Sequence, residues 1–293
     1  MKHLTKIILY MSNILKRGVT AIVLLVVAII CLAGNHHTFL GFFGVVSLLA
    51  LWEFYTIIMK DSEANLLRRL IGVLVGILPF ALLAIYYLDS TSLNLQTIGF
   101  IFSPILFLII IVELFLNADE PIVNIGYVFM GFIYVGIPFS LLIPIHFQFG
   151  NAPILGLWAF VAAFDVAAYL VGSQIGKTPL FPRISPKKTW EGIGGGVSLL
   201  IILFFLLPTI IQFLSDTFHF ELTNQLSINN WAGIAVIALI FGTIGDLVES
   251  MVKRSYNVKD SGRLLPGHGG FLDRFDSVFF PVPFLAAYLF LFV

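Results

Sequence analysis

Cysteine is nearly absent from this sequence, and charge is scarce. The single cysteine, Cys31, lies inside an apolar run, which excludes an intrachain disulfide framework and a cysteine metal cluster. Charged residues make up 11% of the 293 positions, and 16 Lys and Arg balance 16 Asp and Glu. That neutrality gives no basic field for a nucleic acid, and no nucleic-acid partner is expected. Internal repeats, low-complexity linkers and soluble domains are missing as well. The GKT at 176–178 lacks the upstream glycine spacing of a P-loop.

Apolar residues take the place of charge. Hydrophobic residues reach 59%, phenylalanine alone occurs 30 times, and the mean hydropathy is +1.02. Soluble domains rarely come near this composition. The chain reads as an all-α, polytopic membrane helical bundle, because only self-satisfied helices or closed barrels cross hydrocarbon. A span needs about 20 mostly apolar residues. Nine candidates lie near 19–34, 39–59, 70–88, 98–116, 122–145, 154–174, 194–214, 231–252 and 277–293. The polar start MKHLTKIILYMSNILKR is long and no small-x-small cleavage site follows it, so the first span is expected to be retained rather than removed as a signal peptide.

Positive charge tests the span count, because cytoplasmic loops collect Lys and Arg. With nine spans and the N-terminus inside, all 16 basic residues fall on one side, while NHHT and HFQFGNAP on the other carry none. An error of one span in the middle would break that partition. The expected topology is N-terminus cytoplasmic and C-terminus outside. The chain reads as one integral membrane domain, with 1–150 as scaffold spans and 151–293 as catalytic spans and cytoplasmic loops.

Charge is concentrated between 246 and 276, where five acidic and five basic residues lie. A solvated loop accounts for 255–265 but not for the flanks. Asp246 lies within the apolar helix AVIALIFGTIGDLVESMVKR, and acids at membrane depth face a cavity or a partner. Asp246, Ser250 and Lys253 share a helix face, with Glu249 beside it. In GHGGFLDRFDS, Asp273 and Asp276 share a face if the last helix begins near 272. Three carboxylates, Asp246, Asp273 and Asp276, therefore stand near the ends of consecutive antiparallel spans. Oxygen-only clusters suit hard cations such as Mg²⁺, which fills its other positions with water and phosphate. Nearby Lys and Arg supply phosphate donors, and Gly269 and Gly270 let backbone amides approach an anion. His268 reads either as a local hydrogen-bonder or as a catalyst. Arg274 reads either as a counter-ion to its flanking carboxylates or as a phosphate contact.

A second stretch, 163–196, carries related signals. Asp165 lies in the sixth span with Tyr169 one turn on, and Gly172 and Gly176 allow close helix packing. SPKKTWEG follows, offering Ser185, Lys187, Lys188, Thr189 and Glu191. Its lysines read either as a topology signal with headgroup contact or as a triphosphate site. Glu53 and Glu113 each join the cavity or pair with a neighbouring helix.

The segment SMVKRSYNVKDSGRLLPGHGGFLDRFDS resembles the signature of the phosphatidate cytidylyltransferase (CDP-diacylglycerol synthase) family. Ser250, Lys253, Arg254, Lys259, Asp260, Pro266, His268, Gly269, Gly270, Asp273, Arg274 and Asp276 all match it. The upstream Gly245–Asp246 and SPKKTWEG resemble the family too, while the first half does so only in hydropathy. The resemblance implies that CTP and phosphatidate give CDP-diacylglycerol and pyrophosphate with Mg²⁺, joined by K⁺ as a further family-level implication. It also implies a multi-pass protein of the cell membrane, acting at the cytoplasmic face on a membrane lipid, and a homodimer.

On that basis Asp246, Asp273 and Asp276 are the expected metal holders. Lys253, Arg254, Lys259 and Arg274 share the remaining phosphate charge, with His268 and Asp260 as further catalytic candidates, Asp260 orienting base or ribose. Ser185, Lys187, Lys188, Thr189, Glu191, Ser250, Gly269 and Gly270 are the substrate-binding candidates. Two rivals remain. A CTP-dependent lipid kinase would transfer the γ-phosphate to a polyprenol-type alcohol. A transporter would spread its acids along a pathway, whereas here they crowd at the ends of late spans.

Overall fold

The structure, a computed structural model, describes residues 26–32, 34–59, 63–89, 94–116, 119–218, 226–262 and 269–293. Eight helices among the described residues are long and apolar enough to cross a membrane. They are α1 (His36–Ile58), α2 (Glu63–Leu88), α3 (Leu95–Phe115), α4 (Pro121–Phe149), α5 (Ala152–Ile175), α6 (Trp190–Phe218), α7 (Ile228–Ser255) and α8 (Leu272–Phe292). The shortest have 21 residues, about 31 Å at 1.5 Å per residue, enough for the hydrocarbon core. They coincide with the second to ninth spans expected from hydropathy. Half of the first expected span, and Lys2, Lys6, Lys16 and Arg17 before it, lie outside the described residues; 26–32 within it is helical.

Short polar residues start these helices. The Asn35 side chain accepts from Thr38 N at 3.0 Å, Asn94 from Thr97 N at 2.8 Å and Ser227 from Asn230 N at 3.3 Å. Each satisfies an amide that the first turn leaves without a partner. Pro121 and Pro153 occupy first-turn positions, where a missing N–H costs nothing. Pro79, Pro104 and Pro208 sit inside helices, as spans packed in a bundle tolerate.

Two helices carry π-turns, Phe132–Gly136 in α4 and Ala238–Gly242 in α7. Each inserts an extra residue and re-aims the face that follows. The turn in α7 ends four residues before Asp246. α8 is interrupted at Phe280–Pro281 between its two helical pieces. Between α5 and α6 a small antiparallel hairpin pairs β1 (Pro179–Phe181) with β2 (Ser185–Thr189).

The core is aromatic and aliphatic: Phe39, Phe43, Phe54, Tyr55, Phe139, Phe160 and Trp231 are fully buried. α3 and α6 instead expose half or more of their residues, including Phe100, Leu114, Phe205 and Phe213. In water such surface would drive association; in a bilayer it faces acyl chains. α5 and α6 meet through glycine. A Cβ on Gly172 would lie 3.4 Å from Gly192 Cα, and one on Gly192 would lie 2.6 Å from Ala168 O. The small residues let the two backbones touch.

Buried polar knots fasten the scaffold helices. Arg68 on α2 makes a two-pronged bond to Glu113 on α3, 2.9 Å at each oxygen, and Asn124 on α4 donates to the same carboxylate at 2.9 Å. Near the start of α1, His36 meets His146 at 2.7 Å, and His146 meets Asn151 at 2.6 Å.

Candidate active site

α7 and α8 are consecutive antiparallel helices, and their acids meet. Asp246 and Glu249 from α7 and Asp276 from α8 bring carboxylate oxygens within 4.8 Å of one another. Glu249 and Asp276 are buried; Asp246 is half-buried. The carboxyls of Glu249 and Asp276 lie side by side, each in the other's electrostatic field. Carboxylates that close repel unless a cation or a proton lies between them. Glu249 Oε1 is buried with no hydrogen-bond partner among the described residues. An all-oxygen cluster with an unused buried lone pair fits a hard divalent cation.

Two lysines balance the cluster. Lys188 on β2 pairs with Asp246. The hairpin thus carries SPKK across to α7, and the two charged stretches of the sequence become one site. Lys253, one turn beyond Glu249 on α7, pairs with Glu249 and donates to Asp273 Oδ1 at 2.8 Å. Asp165 on α5 shares the electrostatic field of Lys188, Asp246 and Asp276 and lies near Ser277, whose hydroxyl donates to Asp276 Oδ1 at 3.3 Å. Tyr169, one turn further, is exposed.

Asp273 is not among the three acids that close to within 4.8 Å, but it adjoins them, sharing Lys253 with Glu249. Its Oδ2 accepts from Ser261 N at 2.8 Å and Gly270 N at 2.9 Å, and its Oδ1 faces Lys253. Both oxygens are therefore engaged within the protein. The anion that the Gly270 amide meets in this structure is the Asp273 carboxylate. Gly269 adopts a φ of +84°, where a Cβ would also press on Asp273 Oδ2 at 2.6 Å, so glycine is required there.

The remaining candidates separate into two groups. Lys187, Arg254, Lys259, Asp260 and Arg274 are exposed. Lys259 and Asp260 line a cleft of about 310 Å³ with Val258 and Gly262. Ser185 is half-buried on β2, and Ser250 is half-buried on α7 between Glu249 and Lys253. Glu191 and Thr189 serve the hairpin. Glu191 accepts from Lys177 N at 3.1 Å and from the Thr178 hydroxyl at 2.9 Å, and Thr189 Oγ1 accepts from Gly192 N at 3.2 Å. His268 and Pro266 lie outside the described residues.

A model of the cytidylyltransferase family matches residues 15–292, nearly the whole chain. The chain belongs to the cytidylyltransferase family. It is an integral membrane member, with eight membrane-length helices among the described residues. Its similarity extends to a Thermotoga maritima protein named phosphatidate cytidylyltransferase, 30% identical over 93% of this chain and 95% of that protein. A Bacillus subtilis protein of the same name is 42% identical over 58% of this chain and 60% of that protein. One from Staphylococcus aureus strain COL is 42% identical over 53% of this chain and 55% of that protein. Against these last two, the chain spans under two thirds of the relative's length.

Two acids of this family member gain partners that the sequence left open. Glu249 lies beside the polar stripe of α7, and its i+4 spacing to Lys253 is the signal in the sequence for their pairing. Glu53 of α1, more than 200 residues away, reaches the loop before α8 and accepts from Leu272 N at 2.9 Å. No local pattern announces that contact. Glu113 takes the other option open to it and pairs with Arg68.

Proposed function

We propose that this chain transfers the cytidylyl group of CTP to phosphatidate, forming CDP-diacylglycerol and releasing pyrophosphate, at the cytoplasmic face of the cell membrane. The observation that carries this reading is the meeting of Asp246, Glu249 and Asp276 with Lys188 and Lys253 at one point. Relatives named phosphatidate cytidylyltransferase support it.

A phosphate oxygen of the lipid attacks the α-phosphorus of CTP. The new P–O bond forms while the bond to the bridging β-phosphate oxygen breaks, and pyrophosphate leaves with the electron pair. The nucleophile is already an anion, so little general-base help is needed. The barrier is one of positioning and of charge. Asp246, Glu249 and Asp276 would hold Mg²⁺, which when bound neutralises phosphate oxygens. A K⁺ companion and a homodimer belong to the same reading through the family resemblance.

The chain's own cations do the rest. Lys188 and Lys253 already touch the acid cluster, so each can shift towards an arriving phosphate without leaving an uncompensated charge. Lys187, Arg254, Lys259 and Arg274 are exposed and draw in the triphosphate from the aqueous side. Asp260, in the cleft beside Lys259, orients ribose or base. Asp273 holds Lys253 towards Glu249 rather than holding the metal. The lipid chains stay in the bilayer. An apolar groove of about 500 Å³ between α4 and α8, lined by Phe129, Met130, Ile133, Tyr134 and Phe284 among others, suits an acyl chain. Tyr134 lies in the field of Asp246, Glu249 and Asp276, which links the groove to the acids.

The test supplies purified protein with Mg²⁺, phosphatidate and CTP labelled at either the α- or the γ-phosphate. The expected result is α-label in the organic phase and γ-label only in pyrophosphate. γ-Label in the lipid would overturn the reading in favour of a lipid kinase. Transport without any CTP-dependent lipid product would overturn it in favour of a transporter.

A further inference from the structure

We propose that Glu53 is a positioning residue of the active site, fixing from α1 the loop and helix start that hold Asp273 and Lys253. This inference rests on the cytidylyl-transfer reading above.

Glu53 is 3% exposed, in the half of the sequence without signature residues. A buried carboxylate is costly unless polar partners receive it. Its Oε2 accepts from Leu272 N at 2.9 Å and from Ser261 Oγ at 3.1 Å. Leu272 is the first residue of α8, so Glu53 caps that helix from a different element. A negative group is favoured at this end by the unpaired amides and the helix dipole.

The hydroxyl of Ser261 works as a link. It donates to Glu53 and accepts from Asp273 N at 3.3 Å, while Ser261 N donates to Asp273 Oδ2 at 2.8 Å. Asp273 Oδ1 then holds Lys253, which pairs with Glu249 of the acid cluster. Contacts therefore run from Glu53 through Ser261, Asp273 and Lys253 to Glu249. The loop backbone is shaped to the carboxylate. A Cβ on Gly270 would strike Glu53 Oε2, and one on Gly262 would strike Glu53 Oε1. Any larger residue at either position would push the carboxylate off the loop.

Both contacts use one oxygen, so the acceptor rather than the charge is the working part. An amide oxygen can replace it; a methyl group cannot. The experiment compares wild type with Glu53→Ala, Glu53→Gln, Ser261→Ala and the double alanine variant, all as purified full-length protein with measured Tm. The expected result for Glu53→Ala is a fall in kcat of about tenfold or more with KM for CTP within threefold, and Glu53→Gln recovers most of the rate. Ser261→Ala lowers kcat in the same direction, and the double variant is no worse than Glu53→Ala, as residues in one chain of contacts couple. Glu53→Ala within twofold of wild type overturns the proposal. So does Glu53→Gln as impaired as Glu53→Ala at equal Tm, or a double variant whose losses multiply. If Glu53→Ala fails to fold, the Ser261→Ala and Glu53→Gln comparison decides: full kcat in Ser261→Ala overturns the proposal, and a lowered kcat with near-normal Glu53→Gln supports it. Wild-type protein that makes no CDP-diacylglycerol would instead overturn the cytidylyl-transfer reading.

Discussion

At the scale of single residues, the site turns on which carboxylates share a space. Spacing along α8 puts Asp273 and Asp276 on neighbouring positions, yet only Asp276 enters the cluster with Asp246 and Glu249. Asp273 is drawn off by two loop amides and Lys253. The two roles predict different kinetics. Asp246→Asn, Glu249→Gln and Asp276→Asn should each lower kcat about 10²-fold or more, the scale for losing one electrostatic stabiliser, and raise the Mg²⁺ concentration for half-maximal rate. Asp273→Asn should lower kcat with little change in that concentration, as a Mg²⁺ titration of initial rates would reveal. Gly269→Ala should also impair turnover, because a left-handed φ costs about 1–2 kcal/mol for a residue with a Cβ and that Cβ crowds Asp273. Steady-state rates at matched Tm test this.

At the scale of elements, hydropathy located the helices because each must be apolar along its length. It put the last span at 277–293, whereas α8 begins five residues earlier at Leu272, because the polar turn LDRFDS is helical without being apolar. It could not find the hairpin. β1 and β2 are three and five residues long, too short to show any periodicity, and their pairing carries Lys188 to Asp246. Nor could it find the π-turns, which change the facing of Asp246 without changing composition. The glycines at 172 and 176 were legible as a packing seam, and the structure pairs Gly172 with Gly192. Gly192→Val should destabilise the protein by about 1–3 kcal/mol, as overpacking a tight contact does, because its Cβ meets the backbone oxygen of Ala168. Thermal unfolding in detergent should show a lower Tm, and an unchanged Tm would contradict the seam.

At the scale of the whole molecule, the charge partition and the site make one claim about orientation. The distribution of positive charge predicts that all 16 Lys and Arg face the cytoplasm, the side from which the proposed reaction draws its nucleotide. A membrane-impermeant thiol reagent should label Lys187→Cys, in a Cys31→Ser background, only from the inner face. Labelling from outside intact cells would reverse the topology. Contacts around the site draw on both halves of the sequence. Signature residues do crowd into the second half, but Glu53 crosses from the first. Contacts between residues 208 positions apart follow from helix packing, which one sequence without its fold does not display. Glu113 was equally ambiguous, and only the approach of α2 to α3 gives it Arg68.

The central claim is that Asp246, Glu249 and Asp276 together form the divalent-cation site, and Mn²⁺ binding by electron paramagnetic resonance measures it without turnover. Wild-type protein and Asp273→Asn are predicted to take up Mn²⁺ that Mg²⁺ displaces, while Glu249→Gln loses that binding. Glu249→Gln binding Mn²⁺ as tightly as wild type would contradict the account.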